Sequence, residues 1–201
     1  MKTRPYLYHL TDRHNVRRIV ESKKLESAIG LMKSGKCIAM SRKRREESIR
    51  VTVGETQVMI RDQKPLYLGN IALASDWTFE DVLVALNERV FFWPGCSDGP
   101  IPSGVRHFDR YRHEDPVLLR IRTEELLLLN NGKDPLFCRY NSGAPRCSGG
   151  VGSPRGPDTF VRCDVATFTA SQVVEVTFVD SVRLPDRIER ADSVRGPWKR
   201  P

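Results

Sequence analysis

The 201-residue chain has no apolar run approaching ~18 residues, which excludes a membrane-spanning helix. Its opening residues, Met1-Lys2-Thr3-Arg4-Pro5-Tyr6, hold no apolar signal region. Paired cysteine motifs are also missing. The five cysteines, at 37, 96, 138, 147 and 163, include no C-x-x-C pair. An odd, scattered set argues against a zinc ribbon and against a full disulfide framework. Free thiols fit a cytoplasmic chain. There is no P-loop, G-x-S-x-G, H-E-x-x-H or G-x-G-x-x-G pattern, so the phosphate, nucleophile and zinc chemistry those motifs carry is not indicated. The four histidines, His9, His14, His107 and His113, lack metal-ligand spacing, so no metal is expected. His107 and His113 read as exposed loop residues. No internal repeat and no linker between two cores can be found.

The chain has an ordinary soluble balance, 39% hydrophobic and 29% charged, and is long enough for one domain with a core. Its net charge of +8 attracts polyanions, of which nucleic acid is the usual one. A solubility charge without a partner explains the same number. Periodicity predicts a strand over 7–10, a helix over 12–22 capped by Thr11 or Asp12, and a loop from Ser27 to Cys37. The dense run Ser41 to Glu47 reads as a solvated surface segment or as a phosphate-contacting patch. A β-hairpin follows around Gly54-Glu55. A helix starts at Thr78, with Asp81 at its third position, and Arg89 to Trp93 makes a strand. Cys96 to Asp115 reads as a long polar loop, and further strands fall at 116–121 and 136–140. Residues 186–201 read as a charged, poorly packed tail after a single α+β domain over 1–185.

One stretch organises the rest. Between Asn141 and Asp158 lie five Gly, three Pro and three Ser among 18 residues, a composition that holds neither a helix nor a central strand. Beyond it, Gln172 to Val179 is β-branched and apolar, and reads as a buried strand. Glu175 interrupts that run. A carboxylate there either faces solvent from an edge strand or lines a cleft walled by the long loop.

Three features stand in order: Tyr8-His9-Leu10-Thr11 before a helix cap, the aromatic strand Arg89-Val90-Phe91-Phe92-Trp93, and Glu175 ahead of a Ser-Val-x-x-Pro turn. In a strand, Phe91 and Trp93 share one face and Phe92 takes the other. This series resembles the ADP-ribosyltransferase fold, and is most similar to DNA-modifying toxins of the DarT-like type, over roughly residues 6–185. The resemblance implies a split, mixed β-structure with a cleft for NAD. It implies that His9, with Thr11 close by, binds the adenosine-side ribose, and that Phe91 or Trp93 stacks on nicotinamide. It makes Glu175 the catalytic carboxylate. Arg42, Arg44 or Arg139 would meet the pyrophosphate. Arg139, Asn141, Ser142 and Arg146 would bind the acceptor beside the 141–158 loop. The middle strand offers Phe and Trp where many members carry Tyr. The implied activity is transfer of ADP-ribose to DNA or RNA by a bacterial toxin or defence effector with an antitoxin or immunity partner. An RNA 2′-phosphotransferase-like enzyme and a non-catalytic nucleic-acid-binding module are the other readings.

Overall fold

The computed structural model describes residues 4–201; the first three residues of the expected 1–185 domain lie outside that range. The first half of the chain contains β1 (Tyr6–Asp12), α1 (Arg13–Ser22), β2 (Lys24–Glu26), α2 (Ala28–Ser34), β3 (Ile49–Val53), β4 (Thr56–Ile60), β5 (Ile71–Leu73), α3 (Phe79–Asn87), β6 (Arg89–Cys96) and β7 (Gly99–Pro100). The second half contains α4 (Pro102–Tyr111), β8 (Pro116–Arg122), α5 (Thr123–Leu129), β9 (Leu136–Cys138), β10 (Ser153–Arg155), β11 (Glu175–Val179), β12 (Ser181–Arg183) and β13 (Ile188–Ala191). The main sheet runs β13-β8-β1-β6-β11-β9, with β7 beside β6. Every pairing in it is antiparallel. The β-structure as a whole is split and mixed: among the described residues, parallel pairing occurs between β5 and β10, in a small sheet of their own. The architecture is α+β in one domain.

Strand alternation divides the core between the two faces of this sheet. Leu7, Val90, Phe92, Leu119, Ile121, Val176 and Phe178 pack on one side with Val16 and Ile19 of α1. Tyr8, Leu10, Trp93 and Leu118 pack on the other with Phe108 and Tyr111 of α4. The helix α1 starts because Asp12 accepts a hydrogen bond from the His14 amide at 2.9 Å. The start of α3 is a capping box in which the Thr78 hydroxyl and the Asp81 carboxylate satisfy each other's amides.

Strand β6 changes partner along its length. Its far end pairs with β1 only at Tyr6↔Gly95, Leu7↔Pro94 and Tyr8↔Trp93. Its near end pairs with β11, from Val176↔Phe92 to Val179↔Arg89. Beyond Tyr8, β1 stays on β8 as far as Asp12↔Pro116 but loses β6. The sheet thus forks at His9. There the side chain takes over from the ladder: the imidazole Nδ1–H donates to the Phe91 carbonyl at 2.9 Å.

Several expectations are overturned. The Ser27–Cys37 segment contains α2 despite its two glycines. Ser27 caps the helix from Gly30 N at 3.1 Å, Met32 is fully buried, and Gly35 ends the helix against Val51. The Cys96–Asp115 loop contains α4, entered through Pro102 at its first turn. Val105, Phe108 and Tyr111 form its apolar stripe at helical spacing, and Phe108 and Tyr111 are buried. His107 is therefore a helix residue, packed between Trp93 and Tyr111 with ring centroids at 4.7 and 5.0 Å. The Ser41–Glu47 run is not wholly solvated, since Ser41 and Arg45 are buried. The 186–201 tail is not loose. Its strand β13 pairs with β8, Ile188 and Ala191 are buried, and Trp198 packs on Tyr8 at 5.6 Å. A strand edge with unpaired amides recruits whatever segment can cover it.

Candidate functional site

A cavity of about 270 Å³, open to solvent, lies in the fork between β1 and β6. That is close to the lower end of ligand-pocket volumes, about 300–1,000 Å³. His9 and Thr11 enter from β1, Phe91 and Trp93 from β6, Glu175 from β11, and Asn141 and Ser142 from the long loop. Residues separated by most of the chain thus meet at one place.

Glu175 is 2% exposed. Neither the edge nor the solvent placement holds, because β9 and the 141–144 segment cover it. Both its oxygens lie 3.2 Å from the Ser142 amide, which donates to them. The Arg155 guanidinium is nearby but committed elsewhere. Its Nε and Nη2 donate to the Ser142 carbonyl at 3.0 and 2.8 Å, and Nη2 also reaches the Asn141 carbonyl at 3.2 Å. Among the described residues Glu175 forms no ion pair. Burial pushes its carboxyl up to about 7, against the lowering effects of the Ser142 hydrogen bonds and the Arg155 charge. The neighbouring Cys138 thiol is also pushed up, first by burial and then by Glu175, so it stays protonated.

His9 is half-buried, and burial lowers its imidazole to about 4 even though the Phe91 carbonyl favours the protonated ring. It is neutral at physiological pH. With Nδ1–H given to Phe91, Nε2 keeps its lone pair and acts as an acceptor. Thr11 Oγ1 accepts from Asn15 Nδ2 at 3.3 Å. The Asn15 amide group also exchanges hydrogen bonds with the Met59 backbone, at 2.8 Å in each direction, and so docks the β3–β4 hairpin over the cavity.

Two largely buried guanidinium groups line the cavity: Arg45, from the run read as a possible phosphate-contacting patch, and Arg61, which the sequence did not mark. Arg45, 8% exposed, donates to the Arg61 carbonyl and to Asn87 Oδ1, both at 2.9 Å, and forms no ion pair among the described residues. Burial lowers it to about 10. Arg61 donates to the Thr11 carbonyl at 3.0 Å, on the edge that β6 has vacated, and lies over the Tyr111 ring at 4.6 Å. Nothing in the charge run distinguishes Arg45 from its neighbours Arg42 and Arg44. Only the fold turns it inward.

Several expected residues are absent from the cavity. Arg42 is exposed and ion-paired to Glu80 on α3. Arg44 donates to the Gln63 and Lys64 carbonyls and pairs with Glu46. Arg139, one residue beyond the end of β9, is exposed and lines neither cavity. Arg146 is exposed and borders a second cavity beside the first.

Some residues of the cavity wall also carry buried polar atoms that lack a partner. Trp93 Nε1, Ser142 Oγ, Arg61 Nε and Arg89 Nε are buried without a hydrogen-bond partner, and all four residues line the cavity. Such atoms are rare in folded proteins and call for a physical reason. Among the described residues no group of three or more His, Cys, Asp or Glu is placed to hold a metal, no cysteine is paired, and no helix is long and apolar enough to cross a membrane.

No curated protein and no solved structure matches this chain. A sequence family does: residues 5–188 match DUF7002, a family of unknown function, and the chain belongs to that family.

Proposed function

We propose that the fork cavity binds NAD and that the chain transfers ADP-ribose from it to nucleic acid. The observation that carries this reading is the meeting, at one break in the sheet, of a buried carboxylate without an ion partner, two aromatic walls and two guanidinium groups. The residues fit the parts of the dinucleotide. Arg45 and Arg61 suit a pyrophosphate, because guanidinium presents a fork of donors to phosphate oxygens. Phe91 and Trp93 suit a flat ring, with stacking worth about 1–3 kcal/mol in nucleic-acid cases. His9 Nε2 suits a ribose hydroxyl as acceptor.

NAD supplies a ribose–nicotinamide bond whose cleavage leaves positive charge on the sugar. Glu175 answers that charge. A carboxylate held in a dry site by a single backbone amide interacts more strongly with a nearby cation than it would in water. Its ionised form is the useful one, so the Ser142 amide, which favours ionisation, tunes as well as positions it. Arg155 acts through Ser142: by binding the Asn141 and Ser142 carbonyls it holds the amide at the carboxylate.

Thermal melting with and without NAD tests the binding. At ~100 times the dissociation constant the ligand adds about 2.7 kcal/mol, a rise of roughly 5–10 °C for a chain this long. An unmoved melting curve rejects the NAD site and leaves the nucleic-acid-binding module as the better reading. In the presence of an oligonucleotide, wild-type protein should release nicotinamide, and Glu175→Ala should do so about 10²–10³ times more slowly. Equal rates would remove Glu175 from the chemistry.

A further inference from the structure

The second cavity, of about 280 Å³, is walled in part by Arg106, Arg110 and Arg146, and no carboxylate lines it. Arg106 and Arg110 stand four residues apart on α4, so both project from one face of the helix. Arg146 comes from the long loop opposite. Arg106 donates to Ser103 Oγ at 3.1 Å. Among the described residues none of the three arginines forms an ion pair. Some arginines elsewhere are ion-paired, as Arg13 is to Asp115 and Asp192, Arg120 to Glu189 and Arg162 to Asp134, and others such as Arg50 and Arg187 stand singly on the surface; what sets these three apart is that they share one hollow. Three like charges around one hollow repel each other, and the arrangement favours an anion between them. Planar guanidinium groups match phosphate oxygens in paired hydrogen bonds.

The position is as telling as the charge. His107, Asn141 and Ala144 line both cavities. Val174 borders the second, and its neighbour Glu175 borders the first. An anion held by these arginines therefore lies in a cavity that shares a wall with the one holding the buried carboxylate.

We propose that Arg106, Arg110 and Arg146 form the phosphate-binding subsite for a nucleic-acid strand. That the strand is the acceptor for Glu175 chemistry rests on the transferase reading above; the binding itself does not.

The test is equilibrium binding of a short labelled DNA or RNA strand across a salt series, read by fluorescence anisotropy. Removing one phosphate-binding charge should flatten the plot of log affinity against log salt by about 0.7 for a single strand. Arg106→Ala/Arg110→Ala/Arg146→Ala should therefore lose about 2 in slope and at least tenfold in affinity at low salt. The control is Arg50→Ala/Arg187→Ala/Arg195→Ala, which removes the same charge from residues outside the cavity; its slope should match wild type. Should the cavity triple variant fail to melt cooperatively, Arg110→Ala alone should lose about 0.7 in slope.

Equal losses in the two triple variants, or none in the cavity variant, would overturn the proposal in favour of diffuse attraction. A 5′-phosphorylated mononucleotide binding as tightly as the strand would overturn it too, and reassign the cavity to a free nucleotide. The NAD melting shift should survive in the cavity variant. Arginine-dependent strand binding without any NAD shift would sink the transferase reading and leave this subsite standing.

Discussion

Glu175 is a carboxyl whose pKa in the folded chain, about 7, lies above its ordinary value of 4.5. It binds its proton more tightly when folded. Its contribution to stability is complete below pH ~4.5 and is lost as pH rises through about 7. His9 and His107 act in the opposite sense. Burial lowers them from 6.5 to about 4 and 3, so their contribution is complete above pH ~6.5 and is lost as pH falls through those values. The effects overlap between pH ~4.5 and ~6.5, and a variant is needed to separate them. Urea unfolding of wild type and Glu175→Gln across this range should show the wild-type advantage shrinking with pH, by on the order of 3 kcal/mol in total. A difference that stays flat would mean that Glu175 titrates as an ordinary carboxyl. The same ionisation predicts that nicotinamide release climbs with pH and levels off above about 7.

The fork in the sheet depends on β6 keeping β1 close at one end while leaving it at the other. Gly95 makes the close end possible. A Cβ there would meet the Gly99 carbonyl, Pro100 Cα at 2.7 Å and Tyr8 Cε2 at 2.7 Å. Two of those atoms are backbone and cannot step aside cheaply. Gly95→Ala should lower stability by about 1–3 kcal/mol, as overpacking does, and should weaken NAD binding because the fork is displaced. Gly132→Ala, with open space at its Cβ position, should stay within about 1 kcal/mol of wild type. Chemical denaturation of the pair measures both. The long loop is held just as firmly. Arg155, 2% exposed, ties together carbonyls from Asn141, Ser142 and Pro154, and its guanidinium lies over the Tyr140 ring at 4.5 Å. Glycine and proline shape this segment, and a buried arginine anchors it.

For the molecule as a whole, the last sixteen residues close the structure. With β13 gone, β8 would present an open edge, and Tyr8 would lose the Trp198 ring that also stacks with Arg120 at 4.2 Å. Truncation after Pro185 should cost about 2–5 kcal/mol, the range for emptying buried apolar positions, and should promote association through the exposed edge. Melting temperature and light scattering read the two effects. A truncated chain as stable and as monodisperse as the full chain would contradict the packing described for Ile188, Ala191 and Trp198. Charge is uneven across the molecule too. Arg13 and Arg120 pair with acids, whereas Arg106, Arg110 and Arg146 gather around the second cavity without an ion pair among the described residues. The net charge of +8 therefore has a local expression.

Local pattern alone settled much of the backbone. The caps at Asp12 and Thr78, the hairpin at Gly54 and the strands carrying His9, Phe91, Trp93 and Glu175 follow from periodicity and from short-range hydrogen bonding, which neighbouring residues decide among themselves. The helix α2 stayed hidden because its stability comes from tertiary packing, such as Met32 on the hairpin, and not from propensity, whereas α4 carries a legible stripe in Val105, Phe108 and Tyr111 behind a Pro-Ser-Gly start that reads as loop. Only long-range packing could choose Arg45 over Arg42, bury Glu175 beneath the loop and bring the tail back to β8. Each of those outcomes depends on which surface a side chain meets once distant strands have paired, and an adjacent residue carries no information about that.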